Sequence, residues 1–265
     1  MKTVKSDMSE VLLNVENIAI SFGGLVAISD LSFNVYKGEI VSLIGPNGAG
    51  KTTAFNIITG FLKPNSGSIT YRDKSLTGLA AHQVAKYGVV RTFQKTSVFD
   101  GNTVIENIMM GLHLNGRCKV WEVLLGLPRV SIENTRLEER ALEILDLVGL
   151  SNRASDMASD LAYGELRLLE VAIALAAEPA LLLLDEPASG MNPSETASFM
   201  KTVSKIRDEG TTILLVEHDM RMVMGISDRV VVLNQGEIIA SGTPKEIQNN
   251  PKVIHAYLGY GDEDA

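Results

Sequence analysis

Disulfides, membrane spans and an excess of positive charge are all missing from this 265-residue sequence. Its one cysteine, Cys118, has no partner for an internal bridge, which fits a reducing compartment. The longest purely apolar run, residues 171–177, is seven residues long, against the roughly 20 that span a bilayer. The first ten residues mix Lys, Ser, Asp and Glu rather than forming an apolar run. With 24 basic and 32 acidic side chains the net charge is −8, so the surface offers no broad attraction to nucleic acid or anionic lipid. The expectation is a cytoplasmic chain that reaches any membrane through protein partners. The acidic end, residues 261–265, reads as a solvated tail, and no internal repeat or low-complexity stretch occurs.

What is present is a 45% hydrophobic composition, enough for a sizeable core. Residues 39–44, 88–93, 180–184 and 211–216 read as buried strands alternating with helical patterns, the mark of an α/β sheet that is mostly parallel in its centre. Residues 11–20, 31–36 and 68–71, separated by glycine-containing turns, predict an antiparallel β subdomain packed beside that core. Between residues 95 and 160 strands give way to helical spacing. Residues 104–112 and 131–148 carry the pattern, the latter through Leu137, Ala141, Leu142, Leu145 and Val148. The organisation predicted is a single domain over residues 1–265 with a helical subdomain inserted at about 95–160. Asn192-Pro193-Ser194-Glu195 supplies a cap, a proline at the first helical position and an acid shortly after, so a helix should run from Pro193 towards Asp208 and stop at Gly210.

The chemistry begins at Gly45-Pro46-Asn47-Gly48-Ala49-Gly50-Lys51-Thr52, which follows a strand and precedes a helical stretch that includes Thr53. A bare glycine-rich turn is one reading of such a string; the strand and helix around it make a phosphate-binding loop the stronger one. Its glycines let backbone N–H groups wrap a phosphate, the helix N-terminus adds partial positive charge, Lys51 reaches the β- and γ-phosphates, and Thr52 offers a hydroxyl to Mg²⁺. Downstream, Asp185 and Glu186 end an apolar strand, where a doubly wound sheet places its ligand. Asp185 is expected to complete the Mg²⁺ shell and Glu186 to polarise the attacking water.

Leu161-Ala162-Tyr163-Gly164-Glu165 lies between these motifs and resembles the LSGGQ signature of the ABC ATPases. The likeness continues through Arg91-Thr92-Phe93-Gln94 (the Q-loop), Ser189-Gly190-Met191-Asn192 (the D-loop) and Val216-Glu217-His218-Asp219 (the switch histidine). The resemblance implies a phosphate-loop NTPase core with ATP and Mg²⁺ as cofactors. It implies that His218 contacts the γ-phosphate, that Gln94 meets Mg²⁺ or the attacking water, and that Phe22 stacks on adenine. It also implies a head-to-tail pairing with a second ATPase subunit, in which Ala162, Tyr163, Gly164 and Glu165 cover the ATP held by the other subunit.

Two departures stand out. Ala162 lacks the hydroxyl of the usual serine, and Tyr163 puts bulk where glycine is usual, so an asymmetric heterodimer is expected, with a homodimer open to the isolated chain. Asn192 replaces the usual aspartate of the D-loop. Several stretches, among them Gly88 to Gln94, Thr103-Val104-Ile105-Glu106-Asn107 and Glu217-His218-Asp219-Met220, are similar to the larger ATP-binding subunit of bacterial branched-chain amino-acid importers. That likeness implies two membrane permease subunits, a periplasmic binding protein, a place on the inner face of the cell membrane, and Val98, Phe99 and Ile105 as candidate permease contacts. A urea or short-amide importer remains the alternative. From a different class, a soluble non-transport ABC ATPase is a further alternative, though it would usually show two cassettes, a long coiled-coil insertion or a basic face. A phosphate-loop kinase or GTPase would lack the signature segment and the switch histidine, and no nucleic-acid partner is expected.

Overall fold

The protein, a computed structural model, is described over residues 10–92, 98–113 and 128–258. Ten strands lie among these residues: β1 (Val11–Phe22), β2 (Leu25–Tyr36), β3 (Ile40–Ile44), β4 (Ser66–Tyr71), β5 (Lys74–Ser75), β6 (Val89–Arg91), β7 (Leu181–Asp185), β8 (Thr212–Val216), β9 (Arg229–Asn234) and β10 (Glu237–Gly242). The helices are α1 (Lys51–Ile58), α2 (Ala81–Lys86), α3 (Val104–His113), α4 (Pro128–Val148), α5 (Tyr163–Leu175), α6 (Pro193–Asp208), α7 (Met220–Ile226), α8 (Pro244–Gln248) and α9 (Pro251–Leu258). The described chain forms two compact units. The first holds the described residues up to Arg91, then Ala180–Pro187 and those from Arg207 on; the second holds those of Thr92–Pro179 and Ala188–Ile206.

Every strand belongs to the first unit, in the order β5-β4-β1-β2-β10-β9-β3-β8-β7-β6. Strands β9, β3, β8, β7 and β6 run parallel, and β5, β4, β1 and β2 are antiparallel. The antiparallel part was expected to pack beside the core. It does so edge to edge: β2 joins β10 through a parallel bridge between Asp30 and Glu237, so that the two parts form one continuous sheet. Pairing there leaves no open edge in the middle of the molecule. Strand β2 also starts earlier than expected, because Gly23 and Gly24, both with positive φ, turn the chain directly after Phe22.

Alternation along β3 decides which layers cover the sheet. Val41 and Leu43 join Ala54, Phe55, Ile57 and Ile58 of α1 in one apolar cluster, together with Leu183, Leu214 and Val216. Ile44 faces the other cluster, with Val223 of α7, Val230 and Val232, Ile247 of α8 and Val253 of α9. Full burial of a side chain such as Phe55 contributes about 2–3 kcal/mol.

In the second unit, α3, α4 and α5 pack on one another. The buried stripe of α4 is Leu137, Ala141, Ile144, Leu145 and Val148, positions i, i+4, i+7, i+8 and i+11 of one helical face. Leu142, expected on that stripe, is 44% exposed, because it lies one residue off the face that Ile144 completes. Helix α6 starts as its capping sequence predicts. The Asn192 side chain accepts from the N–H groups of Ser194 and Glu195, while Glu195 Oε2 accepts from the N–H of Asn192.

Candidate active site

Strand register brings the strand-end residues to one edge. Leu43 of β3 pairs with Val216 of β8, and Val216 pairs with Asp185 of β7. The residues that follow, Gly45, Glu217-His218 and Glu186, therefore leave the sheet side by side at the carboxyl ends of parallel strands.

The loop from Gly45 to Gly50 is built on close backbone approach. A Cβ at Gly45 would lie 2.0 Å from the Leu233 carbonyl oxygen, and Gly50, with φ 104°, caps α1 without any side-chain hydrogen bond. The first-turn N–H groups of α1, which include those of Thr52 and Thr53, are thus left for an anion. Pro46, Asn47, Gly48 and Ala49 form the turn, with the Ala49 N–H donating to the Pro46 carbonyl at 3.2 Å and the Ala49 carbonyl accepting from Gly236 N–H at 3.0 Å. Lys51 is buried and donates through Nζ to the carbonyls of Gly45 (2.7 Å) and Pro46 (2.9 Å). Burial holds its ammonium below the usual lysine pKa, with the Glu186 carboxylate opposing that shift. Neutral backbone oxygens thus hold a charge that a phosphate would satisfy better.

Asp185 is almost wholly buried. Its Oδ2 accepts from Arg91 Nη2 at 2.5 Å, and its Oδ1 has no hydrogen-bond partner among the described residues. A buried carboxylate oxygen without a donor is costly unless a cation meets it, so the donor set fits Mg²⁺, a hard ion that takes oxygen ligands. Arg91 also donates to Asn56 Oδ1 of α1 at 2.6 Å, and its guanidinium lies 5.6 Å from the centre of the Phe55 ring. Arg91 is a site residue beyond those expected from the motifs; it ends β6, level with Leu183 of β7. Position at a parallel strand's carboxyl end was the available signal.

Glu186 stands in the left-handed region at φ 47° and donates its N–H to the Val216 carbonyl at 2.8 Å. That backbone turns its side chain to His218, whose Nε2 lies 2.8 Å from Glu186 Oε1. A carboxylate only accepts, so the imidazole N–H donates. Loop, Lys51, Asp185, Glu186 and His218 therefore gather in one unit. Phe22, in the same unit, stands half exposed at the β1–β2 turn. Gln94 lies outside the described residues, as do Cys118 and the acidic tail.

The signature segment lies in the second unit. Ala162 is the N-cap of α5, and its N–H is accepted by Glu165 Oε2 at 3.0 Å. Glu165 in turn pairs with Arg153. Gly164 faces the Glu195 side chain, with room too small for a Cβ to enter freely. Tyr163 turns its ring onto Gly190 and donates its hydroxyl to the Ser189 carbonyl. Of the candidate permease contacts, Phe99 is exposed, Ile105 partly so, and Val98 is buried.

The ABC transporter family model matches residues 28–189, and a second, described as branched-chain amino acid ATP-binding cassette transporter, matches residues 237–263. Among curated relatives, the high-affinity branched-chain amino acid transport ATP-binding protein LivG of Escherichia coli K12 is 48% identical over 95% of this chain and 99% of its own length. BraF of Pseudomonas aeruginosa, described in the same words, is 43% identical over 95% and 99%. The solved ADP conformation of MJ1267, an ATP-binding cassette of an ABC transporter, superposes with a TM-score of 0.82 at 31% identity, covering 95% of this chain and all of that one. Motif order, strand-end geometry and these likenesses converge: this chain belongs to the ATP-binding cassette family of ABC transporters.

Proposed function

We infer that this chain hydrolyses ATP to drive uptake of branched-chain amino acids through a membrane importer. The observation that carries the ATPase is the buried Lys51 held beside Glu186 at the edge where Asp185 and His218 also emerge. The cargo rests on relatives whose names specify branched-chain amino acid transport, including one 48% identical over nearly the full chain. No helix among the described residues is long and apolar enough to cross a membrane; on the importer reading the chain docks on two permease subunits at the inner face of the membrane.

The same reading gives each site residue a role. Backbone N–H groups from Gly45 to Thr53 and the Lys51 ammonium bind the phosphates, and Phe22 stacks on the base. Mg²⁺ would be held by Thr52, Asp185 Oδ1 and, at the Q-loop, Gln94; when bound it neutralises phosphate charge. Glu186 would accept a proton from water through Oε2 while its Oε1 holds His218, whose ring would contact the γ-phosphate, and Gln94 would help place that water. Ala162, Tyr163, Gly164 and Glu165 cover the ATP of a second, more regular ATPase subunit, and a periplasmic binding protein delivers cargo to the far side.

Vesicles carrying the co-expressed complex test this directly, with leucine and urea offered to wild type and Glu186→Gln. Leucine uptake and ATP turnover should both fall by two or more orders of magnitude in the variant. Urea uptake without leucine uptake would overturn the cargo, and undiminished turnover would remove Glu186 as the base.

A further inference from the structure

The tyrosine that departs from the usual signature glycine makes a contact that the function above does not use. Tyr163 is the first residue of α5, and its hydroxyl donates to the Ser189 carbonyl oxygen at 2.8 Å. The Tyr163 hydroxyl oxygen accepts from Arg167 Nη2 at 2.8 Å and from Arg167 Nε at 3.2 Å. One donation and two acceptances use the full capacity of a phenol oxygen. Arg167 sits one helical turn on, with its guanidinium 5.2 Å from the ring centre, and is itself fixed by Glu170 at 2.8 Å, a pair nearly shut off from water. On the loop side, Gly190 has φ +83° and lies so close under the ring that an added Cβ would stand 3.1 Å from its Cε1. The loop then enters the Asn192–Glu195 cap of α6, and Glu195 touches Gly164, the neighbour of Tyr163.

We propose that Tyr163 is a positioning residue: its hydroxyl, oriented by Arg167, locks the Ser189–Asn192 loop to the signature segment so that the two move as one piece during ATP turnover. The ring is thereby committed to this loop, and the signature meets a partner's nucleotide through backbone N–H groups. A glycine here would remove this tie and leave the loop its cap and its Met191 N–H to Ala188 carbonyl bond. The inference rests on the ATPase reading above, but the contact itself can be measured without turnover.

Amide hydrogen exchange on the full isolated chain, comparing wild type with Tyr163→Phe and Arg167→Gln, reads the loop directly. Both variants should speed exchange across residues 188–192 by about fivefold to tenfold, the effect of one lost hydrogen bond, while the amides of α1 stay unchanged. In the assembled transporter, Tyr163→Phe should lower kcat by about the same factor with KM for ATP held. The double variant should be no worse than either single one, because both break the same link. Unchanged exchange in both variants overturns the lock. Faster exchange with wild-type kcat overturns its part in turnover. A wild-type complex that fails to hydrolyse ATP would sink the ATPase reading instead, while the exchange result still decides the contact.

Discussion

At the scale of single residues, Lys51 and Arg91 show how a strand-edge site handles buried charge. Burial holds the Lys51 ammonium below the usual lysine pKa of 10.5, and a bound phosphate would favour its charged form. The nucleotide therefore binds together with a proton at alkaline pH. Affinity for ATP should be flat at neutral pH and fall as pH rises through the free-state pKa towards 10.5. Calorimetric titration in buffers of different ionisation heat would show that proton uptake, and Lys51→Met should abolish it. Arg91 is the partner of a carboxylate that is almost fully buried, so Arg91→Met strands Asp185 and should cost about 3–5 kcal/mol, read from urea unfolding. Adding Asp185→Asn should recover most of that loss; equal midpoints for wild type and Arg91→Met would show that the pair holds nothing. Arg91's role was not legible in the sequence, because it depends on strands brought together from positions 94 residues apart; Lys51's carbonyl partners lie only five and six residues back, but the curl of the loop rather than its spacing sets them. Lys51, Asp185 and Glu186 themselves were legible, because spacing and an apolar strand mark them without tertiary information.

At the scale of elements, local signals were read best where the chemistry is local. Asn192 and Glu195 specify the start of α6 within four residues, and the structure shows both halves of that box. Asn192→Ala removes the acceptor for two N–H groups and should destabilise the chain by about 0.5–2 kcal/mol, whereas Asn192→Asp should keep the cap. Thermal unfolding of the two variants would separate them, and equal melting would show the cap to be idle. The C-terminal elements were not predicted as elements. Strands β9 and β10 and helices α7 to α9 carry short apolar patterns whose meaning comes from the cluster they form on Ile44. The same cause explains Leu142: a stripe is defined by its neighbours as much as by its spacing. Tyr257 on α9 shows what this packing reaches. Burial pushes its phenol pKa up to about 12 although part of the ring stays exposed, and the Gly45 backbone lies at its hydroxyl. A segment at the far end of the sequence thus rests on the first residue of the phosphate loop.

At the scale of the whole molecule, the first unit is one sheet assembled from two differently wired halves. The parallel half supplies the phosphate loop and the strand-end acids; the antiparallel half supplies the hairpin that carries Phe22. Along the chain these halves looked like separate pieces, since nothing in residues 11–36 announces the pairing of Asp30 with Glu237 more than 200 residues later. The backbone join is short: one bridge, with Ser29 N–H donating to the Gly236 carbonyl at 3.1 Å and Ser29 Oγ donating to Glu237 Oε1 at 2.9 Å beside it, over an apolar cluster that both halves share. A nucleotide whose base rests on one half and whose phosphates rest on the other would act as a rivet through a short weld. ADP should then slow amide exchange on both sides of the join, in β2 and β10, whereas pyrophosphate, which grips only the loop, should leave β2 as it was. Such a rivet would make the fuel itself part of the frame that transmits its force.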